Sequence, residues 1–529
     1  MAFFLGLDSS TQSLSAIVID TDRGKVVIDE SVNFGSELPA YRSPQGVLPN
    51  ESPLVRHSDP LMWVEGLELL LGRIRQKGFD WSTIDGISGA GQQHGSVYLN
   101  RRLGDALAFD PGRPLAPQVR PLLAYPTSPM WMDSSTGEEC REIAAAVGGH
   151  DRVLSISGSR AIERFTGPQI RKIYKTAPAA YAQTAEIHLV SSFVASLLIG
   201  GSAPIDLGDG AGMNLLDLSS GRWHRELLDA TAPDLASRLP GPVPSDRRVG
   251  SVSRFFVARH GFREGTPVIA FTGDNPSSLV GMGAIAPGTR LISLGTSDTV
   301  FAAMAGPRTD PNGFGHVFGN PAGGFMSLIC FTNGSLAREA VAKRVGFDWA
   351  QFARAITHDT APGNVGADGS PALLLPFFAP ETTPRLITPG VELFGSEAFM
   401  AWREPARAAR AVVEGQALSM LRYSDWIGHA PERLLLTGGA SRNAGIQRVI
   451  ADVFQCPVRL LSVANASALG AALRAAHGAG GLAWEHLFEA FVAVDSGVRV
   501  EPDPEARPAY AKLSKLFAEK VDQRLSRDR

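Results

Sequence analysis

Cysteine is scarce in this chain of 529 residues. Its three cysteines, Cys140, Cys330 and Cys456, lie far apart, and none belongs to a CxxC or Cys/His spacing typical of zinc sites. This pattern excludes the disulfide frameworks that stabilise small secreted domains. The first residues also lack the basic and apolar stretches of an export signal. We therefore expect a cytoplasmic protein.

A strong charge of either sign is also missing. The 50 basic residues are balanced by 53 acidic residues, so the formal net charge at pH 7 is only -3. A protein that attracts nucleic acid or an anionic membrane surface through a broad electrostatic field needs an excess of positive charge. We therefore expect neither nucleic acid nor a membrane among its partners.

Long hydrophobic runs and the commonest nucleotide motif are absent as well. The most apolar window, residues 188–205, is interrupted by serine and glycine and is too short to cross a bilayer, so it predicts a buried helix. No GxxxxGK[ST] sequence occurs, which argues against a P-loop nucleotidase. Residues 281–288 imitate a dinucleotide fingerprint, but the preceding strand and the following long helix are missing.

What the chain does have is length, apolar content and glycine. At 529 residues, with 44% hydrophobic and 19% charged residues, it has the balance of a globular protein of two or more lobes. It contains 56 glycines, a density expected where the backbone turns tightly or approaches a ligand many times.

Two segments predict β-hairpins with turns of small hydroxyl residues. Residues 3–20 read FFLGLDSSTQSLSAIVID, and residues 291–304 read LISLGTSDTVFAAM. The backbone N–H groups of such turns can bind an anion, and Asp8 can hold a cation beside it. The alternative is that these side chains only shape a turn. Because the second hairpin repeats the pattern, the pair predicts a clamp on a phosphate-bearing ligand with Mg²⁺.

A carboxylate at a strand end is the candidate base. Asp274 and Asn275 follow the apolar run of residues 267–270, where a buried strand is predicted to end. In α/β folds a carboxylate at that place often faces a crevice, and it can act as general base toward a substrate hydroxyl. The alternative is a turn or a cap in front of a helix that begins near Pro276.

Two further loops carry polar or flexible backbone. His94 lies in the glycine-flanked loop GQQHGS; such a histidine is more often structural, but its glutamine neighbours suit a polyol. The segment TGGASRN, residues 437–443, follows a predicted strand and precedes a helix over residues 444–454, so it brings a helix N-terminus to a ligand. A plain strand-turn-helix connection would look similar. Earlier in the chain, an amphipathic helix is predicted near residues 60–77, with Asp59 as its cap before Pro60.

After residue 396, a long helical pattern over residues 397–428 is followed by alternating strands and helices, of which the last is an Ala-rich helix over residues 466–476. This alternation predicts α/β layers with an at least partly parallel sheet.

In their order and spacing, these segments resemble the FGGY family of carbohydrate kinases, in the ATPase superfamily that includes actin and hexokinase. The resemblance covers nearly the whole chain. It implies an α/β fold of two actin-like (ribonuclease H-like) ATPase domains with a central cleft. Residues 1–282 would carry the sugar site and the first phosphate hairpin, and residues 283–529 would carry the second phosphate hairpin and the adenosine site. The segments that carry the resemblance are GLDSSTQS, GDNPSS, LISLGTSDT, AVVEGQAL and LLLTGGASRN followed by SVANASALGAAL.

Within that family, the segments GAGQQHGSVYL, MWMDSSTGEEC and PIDLGDGAGMNLLDL resemble the longer, animal-type enzymes that act on D-xylulose. The resemblance implies transfer of the γ-phosphoryl group of ATP to O5 of D-xylulose, with Asp274 as general base. It implies Mg²⁺ at Asp8, held together with the phosphates between the two hairpins. The residues implied to bind the sugar are Gln93, His94, Arg164, Asp274 and Asn275. Those implied to contact the nucleotide are Thr11, Gln12, Gly295, Thr296, Trp349, Gly438, Gly439, Ala440 and Asn443.

The chain also departs from the family pattern. Many bacterial members carry Met-His-Gly where this chain has Gln93-His94-Gly95, and the usual Lys and Trp pattern is not reproduced in residues 169–181. These departures affect the substrate more than the kinase activity, because the hairpins and GDN are intact. The alternatives are a kinase for another pentulose or polyol, such as ribulose or xylitol, and a non-catalytic sugar or nucleotide sensor. Related sugar kinases are often dimers, so a homodimer is also expected.

Overall fold

A computed structural model describes residues 2–103, 108–366, 369–492 and 494–528 of the chain. The polypeptide forms two compact units. The first unit consists of Met1–Ile285, Val317–Met326 and Val463–Ala493. The second unit consists of Ala286–His316, Ser327–Ser462 and Val494–Arg529. The domain boundary drawn from the sequence, between residues 282 and 283, stays a prediction.

Strands and helices alternate along most of the chain. The strands are β1 (Phe3–Ser9), β2 (Ser13–Asp20), β3 (Lys25–Asn33), β4 (His57–Ser58), β5 (Ile84–Gly91), β6 (Ser96–Leu99), β7 (Ser128–Pro129), β8 (Glu186–Leu189), β9 (Ile205–Asp206), β10 (Leu216–Asp217), β11 (Arg222–Trp223), β12 (Pro242–Val243), β13 (Arg248–Ser251), β14 (Pro267–Ile269), β15 (Thr272–Gly273), β16 (Thr289–Leu294), β17 (Asp298–Met304), β18 (His316–Gly319), β19 (Phe325–Phe331), β20 (Leu373–Phe377), β21 (Gly390–Phe394), β22 (Arg433–Thr437), β23 (Val458–Leu461) and β24 (Val494–Val500).

The α-helices range from a single turn to several turns. They are α1 (Phe34–Glu37), α2 (Pro60–Gln76), α3 (Leu115–Val119), α4 (Gly137–Ala146), α5 (His150–Ser157), α6 (Thr166–Thr176), α7 (Pro178–Gln183), α8 (Val190–Ile199), α9 (Leu207–Gly210), α10 (Arg225–Thr231), α11 (Leu235–Arg238), α12 (Arg254–His260), α13 (Asp274–Gly281), α14 (Ser335–Val345), α15 (Trp349–Thr357), α16 (Glu397–Met400), α17 (Pro405–Tyr423), α18 (Ala444–Phe454), α19 (Ala466–Gly480), α20 (Trp484–Phe491) and α21 (Arg507–Asp528).

The main sheet of the first unit has seven strands in the order β13-β14-β5-β1-β2-β3, with β15 also paired to β5. Strands β1 and β2 form the predicted antiparallel hairpin, whereas β5 runs parallel to both β1 and β15. Ser9 and Gly273 are both register partners of Gly91. The carboxyl ends of β1, β5 and β15 therefore lie at one edge of the sheet, which is where polar loops of an α/β fold bind ligands.

A second sheet of seven strands has the order β18-β19-β17-β16-β22-β23-β24. Strands β16 and β17 form the second predicted hairpin, in which Leu294 pairs with Asp298. Strand β22 runs parallel to β16, with Thr437 opposite Ser293, and it also runs parallel to β23. This sheet therefore places the hairpin turn at residues 295–297 beside the segment that follows Thr437. Both sheets combine parallel and antiparallel pairs, and the parallel pairs of β22 with β16 and β23 confirm the at least partly parallel sheet predicted from the sequence after residue 396.

Helix α19 packs backbone to backbone against β1 and α13. A Cβ atom on Gly6 would lie 2.1 Å from the Ala468 carbonyl oxygen, and one on Gly470 would lie 1.9 Å from the Ser277 carbonyl oxygen. Only glycine permits such close approach at these two positions. Since α13 begins at Asp274, this contact holds the helix that carries the candidate base.

Two helix predictions can be compared directly with the structure. The apolar window of residues 188–205 contains α8, which is buried as expected. The long helical pattern of residues 397–428 is split into α16 and α17, because Pro405 lacks the N–H group that a continuous helix would need and instead begins a new one. Within the described residues, every helix is too short or too polar to cross a membrane.

Candidate active site

Asp8 lies near the carboxyl end of β1, and one of its oxygens is unsatisfied. Its Oδ1 atom is buried and accepts no hydrogen bond from the described part of the protein. Burial and, to a smaller extent, the negative charge of the neighbouring Asp274 raise the pKa of Asp8 to about 7, and the Ser467 hydroxyl partly opposes this shift. A cation bound at this place would stabilise the charged form of a carboxyl group that is otherwise hard to ionise.

The donor set around Asp8 suits a metal ion that takes few ligands from the protein. The described residues contain no cluster of three or more His, Cys, Asp or Glu side chains able to hold a metal. Mg²⁺ does not need such a cluster, because it retains waters and is usually bound by one or two carboxylates together with substrate phosphates. The unpartnered Asp8 oxygen, with Asp274 close enough to raise its pKa, fits that requirement.

Asp274 is held by amide groups that come from two strand ends. It is the first residue of α13, and its Oδ1 accepts hydrogen bonds from the Asn275 backbone N–H at 2.9 Å and from Asn275 Nδ2 at 3.1 Å. Asn275 Nδ2 also donates to Gln93 Oε1 at 2.9 Å. Burial raises the pKa of Asp274 to about 6, while the backbone N–H groups of Asn275 and Gln93 partly oppose the shift. The result is a fixed carboxyl group whose affinity for a proton suits a general base near neutral pH.

His94 is fixed as a neutral ring. Its Nδ1 lies 2.8 Å from the Gly212 carbonyl oxygen, which can only accept, so Nδ1 carries the proton and Nε2 is the acceptor. The ring stacks on Phe165 at 4.2 Å, and the backbone φ of 72° is unusual for a residue other than glycine. Burial and, to a smaller extent, the positive charge of the half-buried Arg164 lower the pKa of His94 to about 3.

The turn of the first hairpin carries two of the predicted nucleotide contacts. Thr11 is half-buried, and its hydroxyl accepts a hydrogen bond from Trp131 Nε1 at 2.9 Å. Gln12 is exposed, and its carbonyl oxygen accepts from the Phe34 backbone N–H at 2.9 Å. Trp131 is 44% exposed, so it contributes an aromatic surface beside the turn that sequence reasoning did not include.

Sequence reasoning also missed a buried carboxyl group close to Asp274. Asp209 has no exposed surface; the Ser191 hydroxyl donates to its Oδ2, and its Oδ1 has no partner among the described residues. Burial raises the pKa of Asp209 well above its ordinary value, with smaller contributions from Asp206 and Asp274. The DLGDG segment carried the signal, but spacing alone could not tell that the helix of four residues turns Asp209 inward.

In the second unit, six predicted residues come together around one cavity of about 490 Å³. They are Gly295, Thr296, Trp349, Gly439, Ala440 and Asn443. The same cavity is lined by residues that sequence reasoning did not select, namely Leu294, Ser335, Arg338, Glu339 and Ile446. A cavity of this size that joins an aromatic side chain, a glycine turn and a hairpin turn is suited to a nucleotide.

Local structure explains how the residues that line this cavity are positioned. Trp349 is the first residue of α15, capped by Asp348, and remains 54% exposed. Asn443 caps α18 by accepting hydrogen bonds from the first backbone N–H groups of that helix. A Cβ atom on Gly439 would meet nothing within 4 Å, so a ligand can approach the backbone there. Gly438 is not among the residues that line the cavity. Its backbone φ is 88°, and a Cβ atom there would lie 2.4 Å from the Leu294 carbonyl oxygen, so only glycine permits the turn at this position.

Comparison with known proteins places the chain in a family. The profile of the FGGY family of carbohydrate kinases, N-terminal domain, matches residues 124–281, and that of the C-terminal domain matches residues 291–479. The chain is 39% identical to the mouse (Mus musculus) xylulose kinase over 532 residues, which covers 98% of this chain and 94% of that protein. It is 40% identical to xylulose kinase 2 of Arabidopsis thaliana, over 90% of this chain and 87% of that protein.

A solved structure has the same fold. The crystal structure of xylulose kinase from Rhodospirillum rubrum superposes with a TM-score of 0.82 at 24% identity, covering 98% of each chain. At this identity the likeness concerns the fold alone, whereas the family follows from the profile and the relatives. The chain is a member of the FGGY family of carbohydrate kinases.

Proposed function

We propose that this protein is an ATP-dependent kinase that phosphorylates D-xylulose at O5, giving D-xylulose 5-phosphate and ADP. The observation that carries the proposal is the 39% identity to the mouse xylulose kinase over 98% of this chain. The arrangement at the edge of the first sheet supports it, because a carboxyl group with a raised pKa lies beside amide and imidazole groups suited to a sugar.

In the proposed reaction the sugar hydroxyls meet fixed polar groups. His94 Nε2 accepts a hydrogen bond from one hydroxyl, and Arg164 and Gln93 Nε2 donate to others. Both donors of Asn275 Nδ2 are engaged by Gln93 and Asp274, so Asn275 binds a sugar hydroxyl through its Oδ1 as acceptor. Asp274 removes the proton from O5 as O5 forms a bond to the γ-phosphorus. The bond between that phosphorus and the β,γ-bridging oxygen breaks, and ADP leaves with the electron pair. The proton on Asp274 then passes to solvent.

The proposed nucleotide site is the cavity of the second unit. The exposed ring of Trp349 offers a face on which adenine can stack, and the open backbone at Gly439 permits close approach. Ala440 and Asn443 line the same cavity beside Gly439. The backbone N–H groups of the turn at residues 295–297 bind phosphate oxygens. We also assign phosphate contacts to Thr11 and Gln12 in the first hairpin turn.

We propose that Asp8 holds Mg²⁺. When bound, the ion would neutralise negative charge on the phosphate oxygens, and such electrostatic stabilisation together with positioning accounts for most of the catalysis in phosphoryl transfer. The protein contributes the buried, unpartnered Oδ1 of Asp8, which sits where a cation is needed to keep the carboxyl group ionised.

The remaining expectations concern partners and location. We propose that the partners are the sugar and ATP, with no nucleic acid or membrane, and that the protein is cytoplasmic. Two copies are proposed to form a homodimer, as related sugar kinases often do. Light scattering of the purified protein measures the mass of the assembly and so shows whether the protein is a dimer.

The test is the release of ADP on a panel of sugars: D-xylulose, D-ribulose, L-ribulose, xylitol and glycerol. The highest kcat/KM is expected with D-xylulose. A clear preference for another member of the panel would overturn the assignment of D-xylulose as substrate but would still support a sugar kinase activity. Nucleotide binding without sugar-dependent ADP release would favour the alternative function, a non-catalytic sugar or nucleotide sensor.

A further inference from the structure

The turn at residues 295–297 has little support of its own. Thr296 and Ser297 are exposed, although the strands on either side are largely buried. A turn that is to present N–H groups to phosphates must keep one conformation before the ligand arrives. The residues that hold it are therefore part of how the cavity binds its ligand.

A buried ion pair lies directly behind this turn. Asp298, the first residue of β17, has no exposed surface, and Arg338 of α14 is 2% exposed. Arg338 donates from Nη1 to Asp298 Oδ2 at 2.8 Å and from Nη2 to Asp298 Oδ1 at 3.0 Å. This parallel pair of hydrogen bonds fixes the orientation of both groups as well as their distance.

The remaining donors of Arg338 reach the turn and a second helix. Nη2 also donates to the Gly295 carbonyl oxygen at 3.4 Å, and Nη1 donates to Gln416 Oε1 of α17 at 2.9 Å. Each terminal nitrogen therefore serves two protein acceptors. Arg338 lines the cavity, but these donors are engaged with the protein, so its role is to hold the turn rather than to bind a phosphate.

Gln416 extends the support to the start of α14. Its Nε2 donates to the carbonyl oxygens of Asn333 at 2.6 Å and Gly334 at 2.8 Å. A Cβ atom on Gly334 would lie 2.7 Å from the Thr296 carbonyl oxygen, so the backbone before α14 touches the turn. The backbone N–H that begins α14, that of Ser335, donates to the Gly295 carbonyl oxygen at 2.9 Å.

We propose that Arg338 is a positioning residue for nucleotide binding, which acts through Asp298, Gln416 and the Gly295 carbonyl to keep the 295–297 turn in its phosphate-binding conformation. The inference rests on the proposed nucleotide role of the cavity. It goes beyond that role by assigning affinity for the phosphates to a group that does not contact them. A lysine retains the charge but cannot donate to both Asp298 oxygens, Gln416 and Gly295 together.

The experiment compares Arg338→Gln and Arg338→Lys with the unaltered protein. Calorimetric titration with ADP measures nucleotide affinity without any turnover, and initial rates with D-xylulose give both KM values. We expect both variants to weaken ADP binding and raise the KM for ATP by about tenfold or more, with the KM for D-xylulose changed by less than about twofold. The matched control is Arg344→Gln, because Arg344 lies on the same helix and is exposed.

Two results would overturn the inference. One is an Arg338→Lys protein that binds ADP as tightly as the unaltered protein, since charge alone would then suffice. The other is a parallel change in both KM values with unchanged ADP affinity. If Arg338→Gln fails to fold, Arg338→Lys decides by the same criteria. If the unaltered protein binds ADP but does not phosphorylate D-xylulose, the proposed function fails, whereas the ADP comparison still decides the role of Arg338.

Discussion

At the scale of single residues, environment separates carboxyl groups that look alike in the sequence. Burial raises the pKa of Asp8 to about 7 and that of Asp274 to about 6, and it raises the pKa of Asp209 well above its ordinary value. Only Asp274 of the three receives a backbone and a side-chain amide on the same oxygen. Because its orientation is fixed from one side, its other oxygen is the natural acceptor for a substrate proton.

Removal of this acceptor is the first prediction. Asp274→Asn keeps the size and the hydrogen-bond acceptor of the side chain but cannot take a proton, so kcat should fall by about 10²-fold to 10⁴-fold. Rates of ADP release with saturating D-xylulose measure the loss. The exposed Asp246 offers a matched control in the same unit, and Asp246→Asn should leave kcat unchanged. A folded Asp274→Asn protein with near-normal turnover would refute the assignment of the base.

The pKa of Asp274 gives the second prediction. A carboxyl group with a raised pKa is protonated below that pH, so the base is lost as the pH falls through about 6. The value of kcat/KM for D-xylulose should therefore drop by about tenfold for each pH unit below that point and level off above it. The same pH series measured with Asp274→Asn is the control, because its residual rate shows how the ionisation of ATP and of the other groups affects the reaction. An acid limb that remains equally steep in the variant would contradict the prediction.

At the scale of secondary structure elements, glycine contacts position the catalytic helix. Helix α13 carries Asp274 at its first residue and packs against α19 where Gly470 approaches the Ser277 carbonyl oxygen. Local sequence predicts both helices, but it gives no sign that a glycine in the Ala-rich α19 meets a backbone almost two hundred residues earlier. The contact is a property of the packing of the two helices.

The third prediction tests this packing. Gly470→Ala would place a Cβ atom 1.9 Å from the Ser277 carbonyl oxygen, so α13 must shift. We expect a loss of about 1–3 kcal/mol in the free energy of unfolding and a reduced kcat. Gly72→Ala is the control: Gly72 lies within α2, where a Cβ atom meets nothing within 4 Å. Gly72→Ala should stabilise the protein by about 0.5–1 kcal/mol. Equal effects of Gly470→Ala and Gly72→Ala on the unfolding temperature would argue against the packing explanation.

At the scale of the whole molecule, the residues proposed to bind the sugar and those proposed to bind adenine belong to different compact units. His94 and Asp274 lie in the first unit, and Trp349 and Gly439 lie in the second. Each ligand should therefore stabilise the protein through its own residues. A ligand at about one hundred times its Kd adds about 2.7 kcal/mol to the stability of the state that binds it, which thermal unfolding detects easily.

The fourth prediction uses this separation. His94→Ala should lose the rise in unfolding temperature caused by D-xylulose and keep the rise caused by ADP, whereas Trp349→Ala should do the reverse. Each variant is thus the control for the other, and each retained response shows that the protein has folded. If one variant lost both responses, or if both variants kept both, the assignment of the two ligands to these residues would be wrong.

The sequence by itself determined the elements whose information is local. The two hairpins follow from apolar runs of β-forming residues on either side of hydroxyl turns, and the start of α2 follows from Asp59 before Pro60. The family follows from the order of short motifs along nearly the whole chain. Even the break before α17 has a local cause in Pro405, although the continuous pattern around it hid the break.

Only the tertiary structure decided which of these residues meet. Parallel pairing of β1, β5 and β15 brings the ends of three distant strands to one edge of a sheet, and thereby brings Asp8 close enough to Asp274 to shift its pKa. The approach of α14 to the first residue of strand β17 creates the buried pair of Asp298 and Arg338 behind the second turn, and helix α17 adds Gln416 to it. Burial and long-range contact set these properties, and neither can be read from a residue and its neighbours in sequence, because both depend on what the rest of the chain places around it.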